Sequence, residues 1–263
     1  MTMPKDDYNE GGSRARAVTP GREARASPRP RRFYETVEIS EVETGFAITL
    51  DKRAAKTPNK SGLILMTKEL AQAVGDEWQA QGVEIHAETM PLTRLANTVI
   101  DAVIGNEVAV RDDIVAYAGS DLVCYRAETP EGLVAAQAEA WDGVLDWAAD
   151  QLKTRFNTTT GIVHIAQPEG SAARVGAHLL SRDAWELTAI HQMTTLTGSA
   201  LLALGCAAGV MTAEEAWQAA HVDEDWEISR WGEDAEASMR RKKRWADMQA
   251  AERLLMLHKG RPG

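Results

Sequence analysis

Cysteine is nearly absent: Cys124 and Cys206 are the two in 263 residues, far apart and in no CxxC spacing. That excludes a disulfide framework and fits a reducing compartment. Long apolar runs are missing too. The longest, LLALGCAAGV from Leu201 to Val210, falls well short of the about 20 residues a bilayer crossing needs. No hydrophobic stretch follows the first methionine, so no secretory signal is expected. The phosphate loop G-x-x-x-x-G-K-[ST], the G-x-G-x-x-G fingerprint, HExxH, the G-x-S-x-G elbow and a zinc-like Cys/His grouping are all lacking. The six histidines stand singly, and no fixed-period repeat points to a solenoid. No metal and no cofactor is expected.

Positive charge is scarce outside the first 32 residues. These hold eight bases and four acids, which leaves 21 of the 29 bases and 35 of the 39 acids for the rest. A body that acidic repels phosphate, so nucleic acid is not an expected partner. Residues 1–32 are read as a disordered basic tail. Their acids and the lack of an amphipathic apolar face argue against a mitochondrial transit peptide.

What is present divides the chain into an α+β protein: a small N-terminal mixed strand/helix domain over 33–90 and a larger all-helical C-terminal domain over 91–263. In the first, Val37 and Ile39, then Phe46, Ile48 and Leu50, alternate with polar residues about a turn at Gly45. Leu63–Leu65 reads as a short buried strand, and Thr67 as the N-cap of a helix to about Gln81, with Gly82 past its end. In the second, Thr129-Pro130 reads as an N-cap followed by proline at the first helical position. Leu133, Trp141, Val144, Leu145, Ala148 and Leu152 then form an apolar stripe. Trp185–Ala208 reads as one long helix, apolar nearly all round in its second half, and Thr212 with Glu215 as a capping box. Seven of the eight tryptophans lie beyond residue 140, which places the larger core there.

Few residues are candidates for chemistry. Cys124, in DLVCYR, has no neighbour that obviously lowers its pKa. His191 is read as a satisfied helix histidine, and Gly205 with Gly209 as a site of close helix packing. The remaining candidate is DEDWEISRWGEDAEASMRRKKRW, Asp223–Trp245, where seven carboxylates surround Trp226 and Trp231 and precede five consecutive bases. Three functional readings stand beside a purely electrostatic one. The Asp223–Asp234 carboxylates could serve a small-molecule hydrolase or transferase, Asp223 and Glu227 could begin a metal site, or the stretch could dock a protein. Acids early and bases late also complement a helix dipole, with Glu236 and Arg240 paired and the basic run closing the helix.

The motifs LDKRAAKTP, EWQAQGVEIHAETMPLTRLANTVID, YAGSDLVCYRAETPEGLVAAQAEAWDGVLDW, LTAIHQMTTLTGSALLALGCAAG and DEDWEISRWGEDAEA follow one another from Phe33 to about Leu257. In their order and spacing the chain resembles the assembly chaperones of F-type ATP synthase, found in mitochondria and α-proteobacteria, that hold the α subunit of the catalytic head. It departs from them at Gly143, where proline is usual, and at Glu227, where glutamine is usual. The resemblance implies the same two-domain fold and a non-enzymatic role. It further implies a monomer that binds the free α subunit and prevents its aggregation until it pairs with β. The compartment implied is the cytoplasm of a bacterium or the mitochondrial matrix of a eukaryote. The resemblance also implies an important acidic position near the WG motif, carried here by Glu233, Asp234 or Glu236. Trp226, Trp231 and Glu227 complete the expected docking surface.

Overall fold

A computed structural model describes residues 29–260. The two expected strands form a hairpin, β1 (Val37–Val42) with β2 (Gly45–Leu50), paired from Val37↔Leu50 to Val42↔Gly45. Two short strands, β3 (Arg53–Ala54) and β4 (Ile64–Leu65), pair with β2. Gly45 has φ +143, and a Cβ there would lie 2.4 Å from the Leu65 carbonyl oxygen, so the hairpin needs glycine where β4 meets it. The helix α1 (Lys68–Gln79) covers this sheet, starting at Thr67, whose hydroxyl accepts the Leu70 N–H. It ends two residues before the expected Gln81. Gly75 at mid-helix faces β1, where a Cβ would meet Val37 at 3.7 Å, an ordinary contact distance.

The chain is already held before Phe33. The Arg32 N–H donates to the Val83 carbonyl and Ile85 donates to Pro30, while the Arg32 guanidinium reaches the carbonyls of Tyr34, Gln79 and Gln81. Residues 30 and 32 are thus tied to Tyr34 and to the segment from Gln79 to Ile85; the expectation for residues 1–28 lies outside the described residues.

Nine α-helices follow among the described residues: α2 (Pro91–Thr98), α3 (Glu107–Gly119), α4 (Glu131–Gln151), α5 (Ser171–Leu179), α6 (Ala184–Thr197), α7 (Ala200–Ala208), α8 (Ala213–Ala220), α9 (Val222–Trp231) and α10 (Ala235–His258). This part is not wholly helical. Two-residue strands β5 (Tyr125–Arg126) and β6 (Thr159–Thr160) pair in parallel. Pro130 is extended, at φ −77 and ψ 160, so it is the N-cap of α4 and not its first helical residue.

The helix expected over Trp185–Ala208 is two helices. Gly198, at φ +71, ends α6, and the Ser199 hydroxyl accepts the Leu202 N–H to start α7. Both apolar halves remain central: Leu187, Ile190, Met193, Leu201, Leu202 and Leu204 have no exposed surface. Gly205 packs closely, since a Cβ there would lie 2.9 Å from Met211 Sδ, whereas Gly209, at φ +75, ends α7, and a Cβ there would meet nothing within 4 Å.

One continuous core runs from the sheet to the last helix. Across the expected boundary at 90/91, Glu77 of α1 accepts the Leu92 and Thr93 N–H groups that start α2, each at 2.8 Å. Thr67 donates to the Leu257 carbonyl of α10 at 2.8 Å.

Candidate functional site

The acidic stretch forms α9, a break at Gly232 and the start of α10. His221 joins α8 to α9, with its Nδ1 2.7 Å from the Trp217 carbonyl and its ring 4.0 Å from the Trp217 ring. Burial pushes its pKa down. Asp223, Glu224 and Asp225 occupy the first turn of α9, where carboxylates favour the helix dipole.

These acids have separate partners. Asp223 accepts from Gln137 Nε2 at 2.6 Å, and Gln137 in turn accepts the Ala127 N–H at 2.7 Å. Asp225 is gripped by both terminal nitrogens of Arg241. Asp234 N-caps α10, accepting the Ala237 N–H at 2.7 Å. Glu233 accepts the Ser238 hydroxyl, and Glu236 pairs with Arg240. Glu227 has no ion pair or side-chain hydrogen bond among the described residues. The carboxylates thus diverge. Among the described residues, no three of His, Cys, Asp and Glu are grouped to hold a metal.

The basic run does not close its helix. It occupies the second and third turns of α10, which continues to His258. Its members act as ties: Arg241 to α9, and Arg244 to the Leu196 carbonyl near the end of α6, at 2.7 Å. Lys242 and Lys243 are exposed.

The two tryptophans do not share a face. Five residues of α-helix turn through about 500°, leaving them roughly 140° apart. Trp226 lies on the first turn of α4, where a Cβ on Gly132 would come within 2.4 Å of its ring, and the Arg230 guanidinium sits 4.8 Å over it. Trp231 is 84% exposed. It shares its side of α9 with Glu227, four residues earlier, beside exposed Glu233, Asp234 and Glu236. The expected docking residues therefore separate into an outward acidic face about Trp231 and an inward anchor, Trp226.

That anchor borders a groove of about 1010 Å³ between α4, α8 and α9. Sequence reasoning missed it. The available signal was the Ala136, Ala140, Gly143 spacing on α4, beside the stripe assigned to the core.

The remaining candidates are structural. Burial, then the nearby Asp121, pushes the Cys124 thiol up to about 12, and burial does the same for Cys206, also to about 12. Neither forms a thiolate near neutral pH. His191 bonds Asp113 at 2.6 Å and joins α6 to α3. No helix of the described residues is long and apolar enough to cross a membrane.

A model of the ATP12 chaperone protein family matches residues 31–149, from just before the strand hairpin into the last turn of α4. Atp12 from Paracoccus denitrificans is 40% identical, with a TM-score of 0.81, over 87% of this chain and 98% of that one. An Asp→Lys mutant of P. denitrificans Atp12p matches over the same shares, at 39% identity and a TM-score of 0.81. The Atu1473 protein of Agrobacterium tumefaciens is 45% identical, with a TM-score of 0.82, over 86% of this chain and 85% of that one. Agreement in fold and sequence runs from the strand hairpin through the helices, and the chain belongs to the ATP12 chaperone family.

Proposed function

We propose that this protein is an assembly chaperone of F-type ATP synthase that binds the free α subunit of the catalytic head. It acts as a monomer, without turnover or cofactor, in the bacterial cytoplasm or the mitochondrial matrix. Family membership carries the reading. An unassembled α subunit exposes the apolar surface that will meet β, and a partner that covers it removes the aggregation-prone species.

The outward face formed by Glu227, Trp231, Glu233, Asp234 and Glu236 is the proposed contact. It combines an almost fully exposed tryptophan with four further exposed side chains, all acidic. Aromatic residues are enriched among interface anchors. Recovery of the α subunit without β, in a pull-down from cell lysate with the tagged full chain, is the expected result; no enrichment of α over a tag-only control refutes the reading. Glu233→Lys and Glu236→Lys alter exposed residues and leave the Asp234 cap intact, so both variants should fold and lose rescue of α-subunit solubility. Carboxylate reversal is compatible with folding in the Paracoccus relative, whose Asp→Lys mutant matches this chain as well as the unsubstituted protein does, at a TM-score of 0.81 in both cases. Full rescue by both variants would refute the contact assignment.

A further inference from the structure

We propose that the groove between α4, α8 and α9 receives an amphipathic helix whose apolar face is flanked by lysines or arginines. The inference deepens the chaperone reading and rests on it for the helix's source, a segment of the unassembled α subunit.

Shape is the first argument. On α4, Ala136, Ala140, Gly143 and Trp147 recur at three- and four-residue spacing. On α9, Val222, Trp226 and Ser229 do the same, and both sets line the groove. Two helices presenting such faces across a groove form the seat into which a third helix packs, at an axis separation of about 8–10 Å. Small residues on α4 permit that close approach. Nothing lies within 4 Å of a Cβ built on Gly143, so the space over it is open.

Chemistry of the walls is the second. Val144, Met211, Ala219 and the two tryptophans give an apolar surface, and Val210 at one end is 55% exposed. The charged lining residues are Glu139, Glu215 and Asp225, with no lysine, arginine or histidine among them. Arg241 neutralises Asp225, and Glu215 is engaged by Thr212 in the α8 capping box but keeps its charge. Glu139 on α4 and Glu215 on α8 therefore leave two negative charges at the groove, against one positive charge, Arg230, over the Trp226 ring. An apolar surface with a net negative lining selects an apolar face with basic flanks and disfavours an acidic one.

The test uses the full chain and two synthetic amphipathic peptides of about 18 residues. They share one leucine/alanine face and carry lysine or glutamate at the remaining positions. Binding is followed by calorimetry and by tryptophan fluorescence, since Trp147 and Trp226 line the groove. The lysine peptide is expected to bind at least about tenfold more tightly than the glutamate one. Gly143→Trp, which fills the open space, should weaken it by a similar factor. So should the double change Glu139→Lys/Gln218→Lys, made at exposed positions outside the capping box, with melting temperature as the folding control. Equal affinity for the two peptides, or undiminished lysine-peptide binding by a folded Gly143→Trp, overturns the proposal.

Rescue of α-subunit solubility separates the two readings. If the unsubstituted chain and Gly143→Trp rescue equally, the groove is not the client's seat and this inference falls while the chaperone reading stands. If the unsubstituted chain rescues nothing but binds the lysine peptide in a Gly143-sensitive way, the chaperone reading falls and the groove remains a helix site.

Discussion

Asp121 is fully buried and accepts two backbone N–H groups, Val123 at 3.3 Å and Leu201 at 2.9 Å. It thereby joins the turn before β5 to the first residues of α7. Burial outweighs those bonds and raises its pKa from 3.8 to about 6. Between those values the folded chain holds a proton that the unfolded chain has lost. Its contribution to stability is therefore complete below about pH 3.8 and is lost as the pH rises through about 6. The difference is worth about 3 kcal/mol at about 1.4 kcal/mol per pKa unit. Groups shifted downward, such as Asp183 and Glu186, act in the opposite direction, so the total profile is a sum. Asp121→Asn isolates one contribution. Melting temperatures from pH 4 to 7 should show the gap between variant and parent changing in the parent's disfavour as the pH rises. A constant gap would show that the buried carboxyl does not titrate there.

At the scale of elements, local signals were legible and remote ones were not. Thr67, and the box formed by Thr212 and Glu215, cap their helices as expected, because a cap is written within four residues. The hairpin register follows from the alternation of Val37, Ile39, Ile48 and Leu50. The break at Gly198-Ser199 was also written locally, but the apolar run on either side masked it, since both helices are buried on most faces. The groove was not legible. It depends on α4 meeting α8 and α9, through contacts such as Trp141 to the Ala219 carbonyl, 78 residues apart, and Gln137 to Asp223, 86 apart. The separation of Trp226 and Trp231 follows from their five-residue spacing once α9 is helical, but which of them turns inward depends on those same remote contacts. Gly198→Ala tests the break. The nearest atom to the new Cβ is Leu122 Cβ at 4.0 Å, so the cost is that of a left-handed backbone and not of space. About 1–2 kcal/mol of destabilisation is expected, read as a melting temperature lower by about 2–4 °C per kcal/mol. An unchanged melting temperature would mean that α6 and α7 can be joined without strain.

For the whole molecule, the decisive observation is the continuity of the core through α10. Met248, Ala251 and Leu254 have no exposed surface, and the helix reaches α1 through Thr67 and α2 through Arg94 and Asp247. Leu254→Ala should cost about 2–5 kcal/mol. The loss should appear as faster amide exchange at Ile48 in β2 as well as at Ile190 in α6, because both belong to the same cluster. Protection retained at Ile48 alone would show that the residues before 91 unfold independently.

The bond between Thr67 and Leu257 spans 190 residues. A ribosome adding about 5–20 residues per second makes its two ends about 10–40 s apart. During that interval the sheet, α1, α2 and α6 leave the exit tunnel with the apolar strip that α10 will cover still bare. The proposed holder of an aggregation-prone subunit is thus itself exposed to aggregation while it is being made, and its acidic face assembles only once its own last helix has docked.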